Sequence, residues 1–201
     1  MLTLPPGIIF DGTLEEVANG GENVWLPYDR KKLYTNAFII RNGKLLLGYK
    51  KRGFGKGLYN GFGGKVDPGE TPAQAALREL KEESGITAPL EHCGVLFFVV
   101  PDIDHAFHID IFRAEEYDGT IIETEEMRPQ WFALPNADAP TQDEQKDLQP
   151  IPFDHMWKDD VYWMPLLLAS RHFLGRADFD TEGNLKKWWF GAVPQTPVDS
   201  R

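Results

Sequence analysis

Residues 78–85 read RELKEESG, and three of these eight are glutamates: Glu79, Glu82 and Glu83. At spacings of three and four they crowd one face of a helix, where each like-charge pair costs roughly 0.2–0.5 kcal/mol. The helix itself is well specified. Thr71 reads as its N-cap, Pro72 as its first residue and Gln74 as the partner in a capping box, while Gly85 supplies the stop. On a helical wheel Ala73, Ala76, Leu77 and Leu80 form the arc expected to face the core, and the glutamates fall on the adjoining arc, where solvent begins. Repulsion on such a face turns into binding capacity when a hard cation arrives, because Mg²⁺ takes a few carboxylates and completes its shell with substrate phosphates.

Around this helix the chain alternates strand and turn signals. LYTNAFII and KLLLGYK flank Arg41-Asn42-Gly43, a hairpin signal. The glycine-rich stretch RGFGKGLYNGFGGKVDPGET follows and runs into the helix. GVLFFVV and HAFHIDIFRA read as strands, and DDVYWMPLLLASRHF as a second helix, with Pro165 tolerable near its first turn or at a kink. ADFDTEGNLKKWWFGAV predicts a second hairpin turning at Glu182-Gly183-Asn184. Residues 1–30 read as an N-terminal extension, 31–193 as one domain carrying a loop insertion at 135–150, and 194–201 as a C-terminal tail. Interleaved strands, helices and hairpins predict a mixed sheet covered by helices.

The 201 residues carry a formal charge of −10, which opposes binding of long nucleic acid. No apolar run is long enough to span a bilayer, and the N-terminus carries Asp11, Glu15 and Glu16 before any basic residue, unlike a secretory or mitochondrial leader. Cys93 is the single cysteine, so no internal disulfide forms. A cytoplasmic monomer is expected, with nothing that signals the nucleus or mitochondria.

Taken together, Gly64, Glu70, Arg78-Glu79-Leu80, Glu82-Glu83 and Gly85-Ile86, at their spacings, resemble the complete Nudix box. The resemblance implies an α/β fold, an α/β/α sandwich around a mixed central sheet, and Mg²⁺-dependent hydrolysis of nucleoside diphosphate derivatives, with Mn²⁺ as the alternative ion. Carried over by position, Glu79, Glu82 and Glu83 would ligate metal, with Gly64 lending its backbone and Glu126 a further carboxylate. Glu70 would pair with Arg78 and hold the loop to the helix, and Gly85 would end the helix. Glu79, Glu83 and Glu126 are then the catalytic candidates, with Glu83 or Glu126 as the base that takes a proton from water.

KKRGFGKGLYNGFGGKV, EEMRPQWF and IPFDHMWKDDVYWMPLLL extend the similarity to the MutT-homologue branch of that family, which hydrolyses oxidised purine nucleoside triphosphates such as 8-oxo-dGTP and 2-hydroxy-dATP. By that resemblance the substrate-binding residues are Thr35, Lys50, Phe54, Asn60, Phe98, Phe107, Trp157, Asp159, Asp160, Trp163 and Phe179. Phe107 departs from the methionine of the resembled pocket. Phe54 and Trp157 suit stacking on a base, and Asn60 offers both a donor and an acceptor. If one of Asp159 and Asp160 stays protonated, the pair presents a donor beside an acceptor. The rival readings are Nudix chemistry on a dinucleoside polyphosphate or capped RNA, and a non-catalytic nucleotide-binding module.

Overall fold

The structure is a computed structural model that describes residues 3–135 and 148–195, so most of the expected insertion and of the expected tail lie outside the described residues. In chain order the elements are β1 (Glu15–Gly21), β2 (Lys31–Arg41), β3 (Lys44–Lys50), β4 (Tyr59–Asn60), α1 (Pro72–Ser84), β5 (Ile86–Thr87), β6 (Glu91–Val99), β7 (Ala106–Ala114), β8 (Asp118–Gly119), β9 (Met127–Ala133), α2 (Asp160–Leu168), β10 (Phe173–Phe179) and β11 (Leu185–Ala192). They fall into two compact units, Met1–Lys31 with Cys93–His108 and Asp159–Arg201, and Lys32–His92 with Ile109–Lys158. Both strand polarities occur, so the expected mixed α/β class holds.

In the first unit β1 pairs antiparallel with β11, β11 antiparallel with β10, and β10 parallel with β6. The expected turn between β10 and β11 is present: Asp180 Oδ1 accepts from the N–H groups of Glu182 and Asn184 at 3.0 and 2.8 Å. Ile8, Phe97, Val99, Ala106, Leu174 and Trp189 form the core, and Leu4, Phe10, Leu14, Trp25 and Leu26 pack against it. The N-terminal segment therefore contributes both a strand and core residues. Its strand, EEVANGG, has little intrinsic strand preference. It forms because β11 supplies a ladder of partners.

Arg176 fastens this segment. Its side chain is fully buried, with Nε and Nη2 donating to the two carboxylate oxygens of Asp178 at 2.9 and 3.1 Å. Nη1 donates to the Pro6 carbonyl and Nη2 to the Leu26 carbonyl, each at 2.7 Å. The Leu26 N–H in turn donates to Asp178 at 2.6 Å, and the guanidinium lies 4.7 Å from the Trp25 ring centroid. A buried charge survives only when paired and fully hydrogen-bonded, and here chain from the N-terminal segment supplies much of that shell.

In the second unit Asn42 and Gly43 have φ of 50° and 71°, as a two-residue hairpin turn between β2 and β3 requires. β3 is flanked by β4 and β9, both antiparallel. The core gathers Ala37, Ile39, Leu46, Phe62, Ala76, Leu80, Ile86, Phe112 and Met127. The glycine-rich segment runs beside β2, with Ala37 and Phe62 exchanging backbone hydrogen bonds and the Thr35 N–H donating to the Gly64 carbonyl at 2.9 Å.

Helix α1 begins and ends as expected. Thr71 and Gln74 form the reciprocal capping box, and Gly85 closes the helix in the left-handed region at φ 80°. The buried face differs from the expected arc. It consists of Ala75, Ala76, Leu80, Glu83 and Ser84, while Ala73 and Leu77 are exposed. With few large apolar residues the wheel leaves its phase loosely determined, and a carboxylate facing inward cannot be foreseen from hydrophobicity. The three glutamates therefore do not share one environment: Glu83 is buried, Glu79 flanks the buried face, and Glu82 points to solvent.

Candidate active site

The carboxylates of α1 meet their surroundings through two cations. Arg78 is the first. Its Nε and Nη2 grip the two oxygens of Glu70 at 2.8 and 2.9 Å, and Nη2 also donates to the Lys65 carbonyl at 3.2 Å. This ties the glycine-rich loop to the helix by a two-pronged charge-assisted contact. On its other side Nη1 donates to Glu79 at 2.8 Å and to Glu82 at 3.3 Å. Arg78, helped by the Asp67 N–H, holds the Glu70 carboxyl down at about 2.

Lys50, at the end of β3, is the second. Its Nζ lies 3.2 Å from Glu83 and 2.9 Å from Glu126, and Arg52 adds a contact to Glu126 at 3.2 Å. Glu83 is 4% exposed, and its other oxygen accepts from the Gly63 N–H at 2.8 Å. Burial pushes its carboxyl up to about 7, against the pull of Lys50 and of the Gly63 N–H. Burial also raises Glu79, with Arg78 opposing, whereas the hydrogen bond from Lys50 lowers Glu126.

Two glycines give these groups room. A Cβ on Gly64 would lie 2.5 Å from Glu79 Oε1, and one on Gly63 would lie 2.0 Å from the Thr35 carbonyl oxygen. The loop backbone therefore passes against the carboxylates as only glycine allows. As a donor set, Glu79, Glu82, Glu83 and Glu126 fit a hard divalent cation: all are oxygen ligands, and carboxylates outnumber the neighbouring cations. Among the described residues no three of them converge on one point: Arg78 engages Glu79 and Glu82, and Lys50 engages Glu83 and Glu126.

The residues expected at a nucleobase fall into two sets. In the second unit Phe54 and Trp157 stack with centroids 5.1 Å apart and planes 29° from parallel. Thr35 is buried, and its hydroxyl has no hydrogen-bond partner among the described residues. Asn60 Oδ1 accepts from the Gly61 N–H at 2.8 Å and from Asn36 Nδ2 at 2.7 Å. With its oxygen thus engaged, Asn60 offers donors rather than the donor and acceptor expected from its type. Asn36 was not among the sequence candidates. The only signal was an amide directly before the apolar run 37–40 of β2.

In the first unit Asp159 and Asp160 are buried at the start of α2, and Asp159 makes no side-chain capping bond. Its Oδ2 accepts from Trp163 Nε1 at 3.0 Å, while Oδ1 is buried without a partner among the described residues. Burial pushes the Asp159 carboxyl up to about 7, its own backbone and Trp163 resisting. Trp163 is itself core, stacked on Phe173 at 5.5 Å. Phe179 is buried and meets the half-buried Phe98 edge-on at 5.4 Å, and Phe107 is half-buried beside His105.

The chain is similar to known proteins along most of its length. The chain is 46% identical over 149 residues to a Danio rerio protein named oxidized purine nucleoside triphosphate hydrolase, covering 74% of this chain and 86% of the relative. The Mus musculus protein of the same name is 41% identical over 155 residues, covering 77% and 90%. A solved MutT protein from Bacillus halodurans shares the fold at a TM-score of 0.60 and 23% identity, covering 79% of this chain and 97% of that one. A family profile described as the NUDIX domain matches residues 31–153, and with these relatives it establishes that the chain belongs to the Nudix family.

Proposed function

We propose that this Nudix hydrolase cleaves oxidised purine nucleoside triphosphates, 8-oxo-dGTP and 2-hydroxy-dATP among them, to the monophosphate and pyrophosphate, and so cleanses the nucleotide pool. The observation that carries the chemistry is the Glu83 carboxylate, buried, seated on the Gly63 N–H and raised to about 7. A carboxylate so placed holds or releases a proton near neutral pH, which is what activation of a water requires. Lys50, already at the carboxylates, supplies positive charge for a phosphate oxygen. Arg78 and Glu70 keep loop and helix in register. The divalent ion, Mg²⁺ in this proposal with Mn²⁺ as a substitute, would be held by Glu79, Glu82, Glu83 and Glu126 and would neutralise phosphate charge.

For the base, the proposal assigns Phe54 and Trp157 to stacking, Asn60 to donation and Thr35 to a hydroxyl contact. A protonated Asp159 donates where an ionised carboxylate could only accept, which suits it to discriminating purine edges alongside Asp160. Phe98 and Phe107 add apolar contact, with Phe179 behind Phe98 and Trp163 behind Asp159. The high identity to two proteins named for this substrate class supports the choice. The proposal includes a monomer in the cytosol, a compartment that suits a chain whose single cysteine, the buried Cys93, can form no internal disulfide.

The test is a substrate panel with Mg²⁺: kcat/KM for 8-oxo-dGTP, 2-hydroxy-dATP, dGTP and a dinucleoside polyphosphate, following pyrophosphate release. The oxidised purines should lead. Preference for the dinucleoside polyphosphate would overturn the substrate and leave the family standing.

A further inference from the structure

Asn36 stands in β2 among buried neighbours and is itself 8% exposed. The contacts around it fix two amide orientations without ambiguity. A backbone N–H can only donate, so the atom of Asn60 lying 2.8 Å from the Gly61 nitrogen is its oxygen. The atom of Asn36 lying 2.7 Å from that oxygen must then be the amide nitrogen. Both acceptor sites of the Asn60 oxygen are filled inside the protein, and its two N–H donors are what remain for a ligand.

This arrangement is costly. Asn36 Oδ1 is buried with no partner among the described residues, and an unpaired buried amide oxygen is destabilising. It also needs the adjacent glycine, since a Cβ on Gly61 would lie 2.3 Å from that oxygen. A leucine would fill the strand position without the penalty. Local rules are broken in this way mostly where function demands it.

We propose that Asn36 is a positioning residue that locks Asn60 with its NH₂ group toward the substrate, so that Asn60 reads an acceptor on the nucleobase, an oxo group or an unprotonated ring nitrogen. The inference rests on the nucleotide-hydrolase reading above and specifies what one recognition point in it demands. A C–H edge offers nothing to such a donor, whereas oxidation that replaces C–H by C=O creates an acceptor. Without Asn36 the Asn60 oxygen keeps a free acceptor site and the amide is held by the Gly61 N–H alone, so its orientation is held less firmly.

Two measurements keep this separate from the substrate assignment. The first needs no substrate: in ¹⁵N-labelled wild-type protein the Asn36 side-chain N–H facing Asn60 should be shifted downfield and protected from exchange. An ordinary, rapidly exchanging amide there overturns the proposal whatever the enzyme hydrolyses. The second compares wild type with Asn36→Leu on 8-oxo-dGTP. Loss of the orienting bond should raise KM about tenfold, with kcat within about twofold, since binding rather than chemistry is affected. Should Asn36→Leu fold poorly, the isosteric Asn36→Asp, which replaces the donor by a carboxylate oxygen, should show the same rise. An unchanged KM in a folded variant overturns the positioning role while the substrate class stands. If wild type turns over no oxidised purine triphosphate, the substrate assignment falls, and with it the base-reading role, leaving the spectrum to decide only whether Asn36 orients Asn60.

Discussion

The Lys50 ammonium lies 3.2 Å from the Glu83 carboxylate, and both side chains are largely shut off from solvent. A divalent ion held by Glu83 would meet Lys50 at the same carboxylate, and the two would compete for its oxygen atoms. Replacing Lys50 by Met should weaken the metal-free fold by about 2 kcal/mol, because a buried carboxylate loses its partner. The same variant should bind Mn²⁺ more tightly in the absence of nucleotide, as read by calorimetric titration. Weaker Mn²⁺ binding would show that lysine supports the metal rather than opposing it.

Glu83→Gln keeps the shape and can still accept from the Gly63 N–H, but it cannot hold a mobile proton. Turnover should fall by roughly a hundredfold or more, the usual scale of general acid–base contributions. Thermal unfolding should show a fold as stable as the wild type or more so, since a raised carboxyl is a strained one. Near-normal kcat would remove Glu83 from the chemistry.

Gly63 and Gly64 are neighbours with opposite sensitivities. An alanine at 63 would drive its Cβ into the Thr35 carbonyl, which belongs to a strand and cannot yield. An alanine at 64 meets first the end of the Glu79 side chain, which can swing away. Gly63→Ala should therefore lower the melting temperature markedly. Gly64→Ala should melt near the wild type while losing turnover. Reversal of this order would contradict the close passage of loop and carboxylates.

Asp159 sets a pH dependence of stability. Its carboxyl ordinarily titrates at 3.8 and is pushed up to about 7 by burial in the fold. Between those values the folded chain keeps a proton that the unfolded chain has lost. Stability should accordingly decline as pH rises from about 4 to about 7, then level off. Asp159→Asn, which can still accept from Trp163, should remove this decline. Denaturation midpoints between pH 4.5 and 8 check it, and an unaltered slope in the variant would point to another group.

How much of this was legible in advance depended on whether the signal was local. Thr71, Gln74 and Gly85 specify α1 by contacts within a few residues, and Asn42-Gly43 does the same for its hairpin, so both were readable. The glutamates were readable as a motif, but their division into buried Glu83, flanking Glu79 and exposed Glu82 was not, because the cause is packing from elsewhere in the chain. β1 has, Val17 apart, residues with little strand preference, and it exists because β11 pairs with it. Asn60 was readable as a polar contact. Its orientation is set by the Gly61 N–H together with Asn36, whose part shows only when two amides are brought to 2.7 Å.

The Arg176 guanidinium has a practical corollary for anyone shortening the protein. Trimming residues before Tyr28 would strip away the Pro6 and Leu26 carbonyls together with the Trp25 ring, leaving a cation and Asp178 in a newly opened hollow. What looks on paper like a dispensable leader behaves as a keystone, and a truncated version would be expected to come out of expression insoluble.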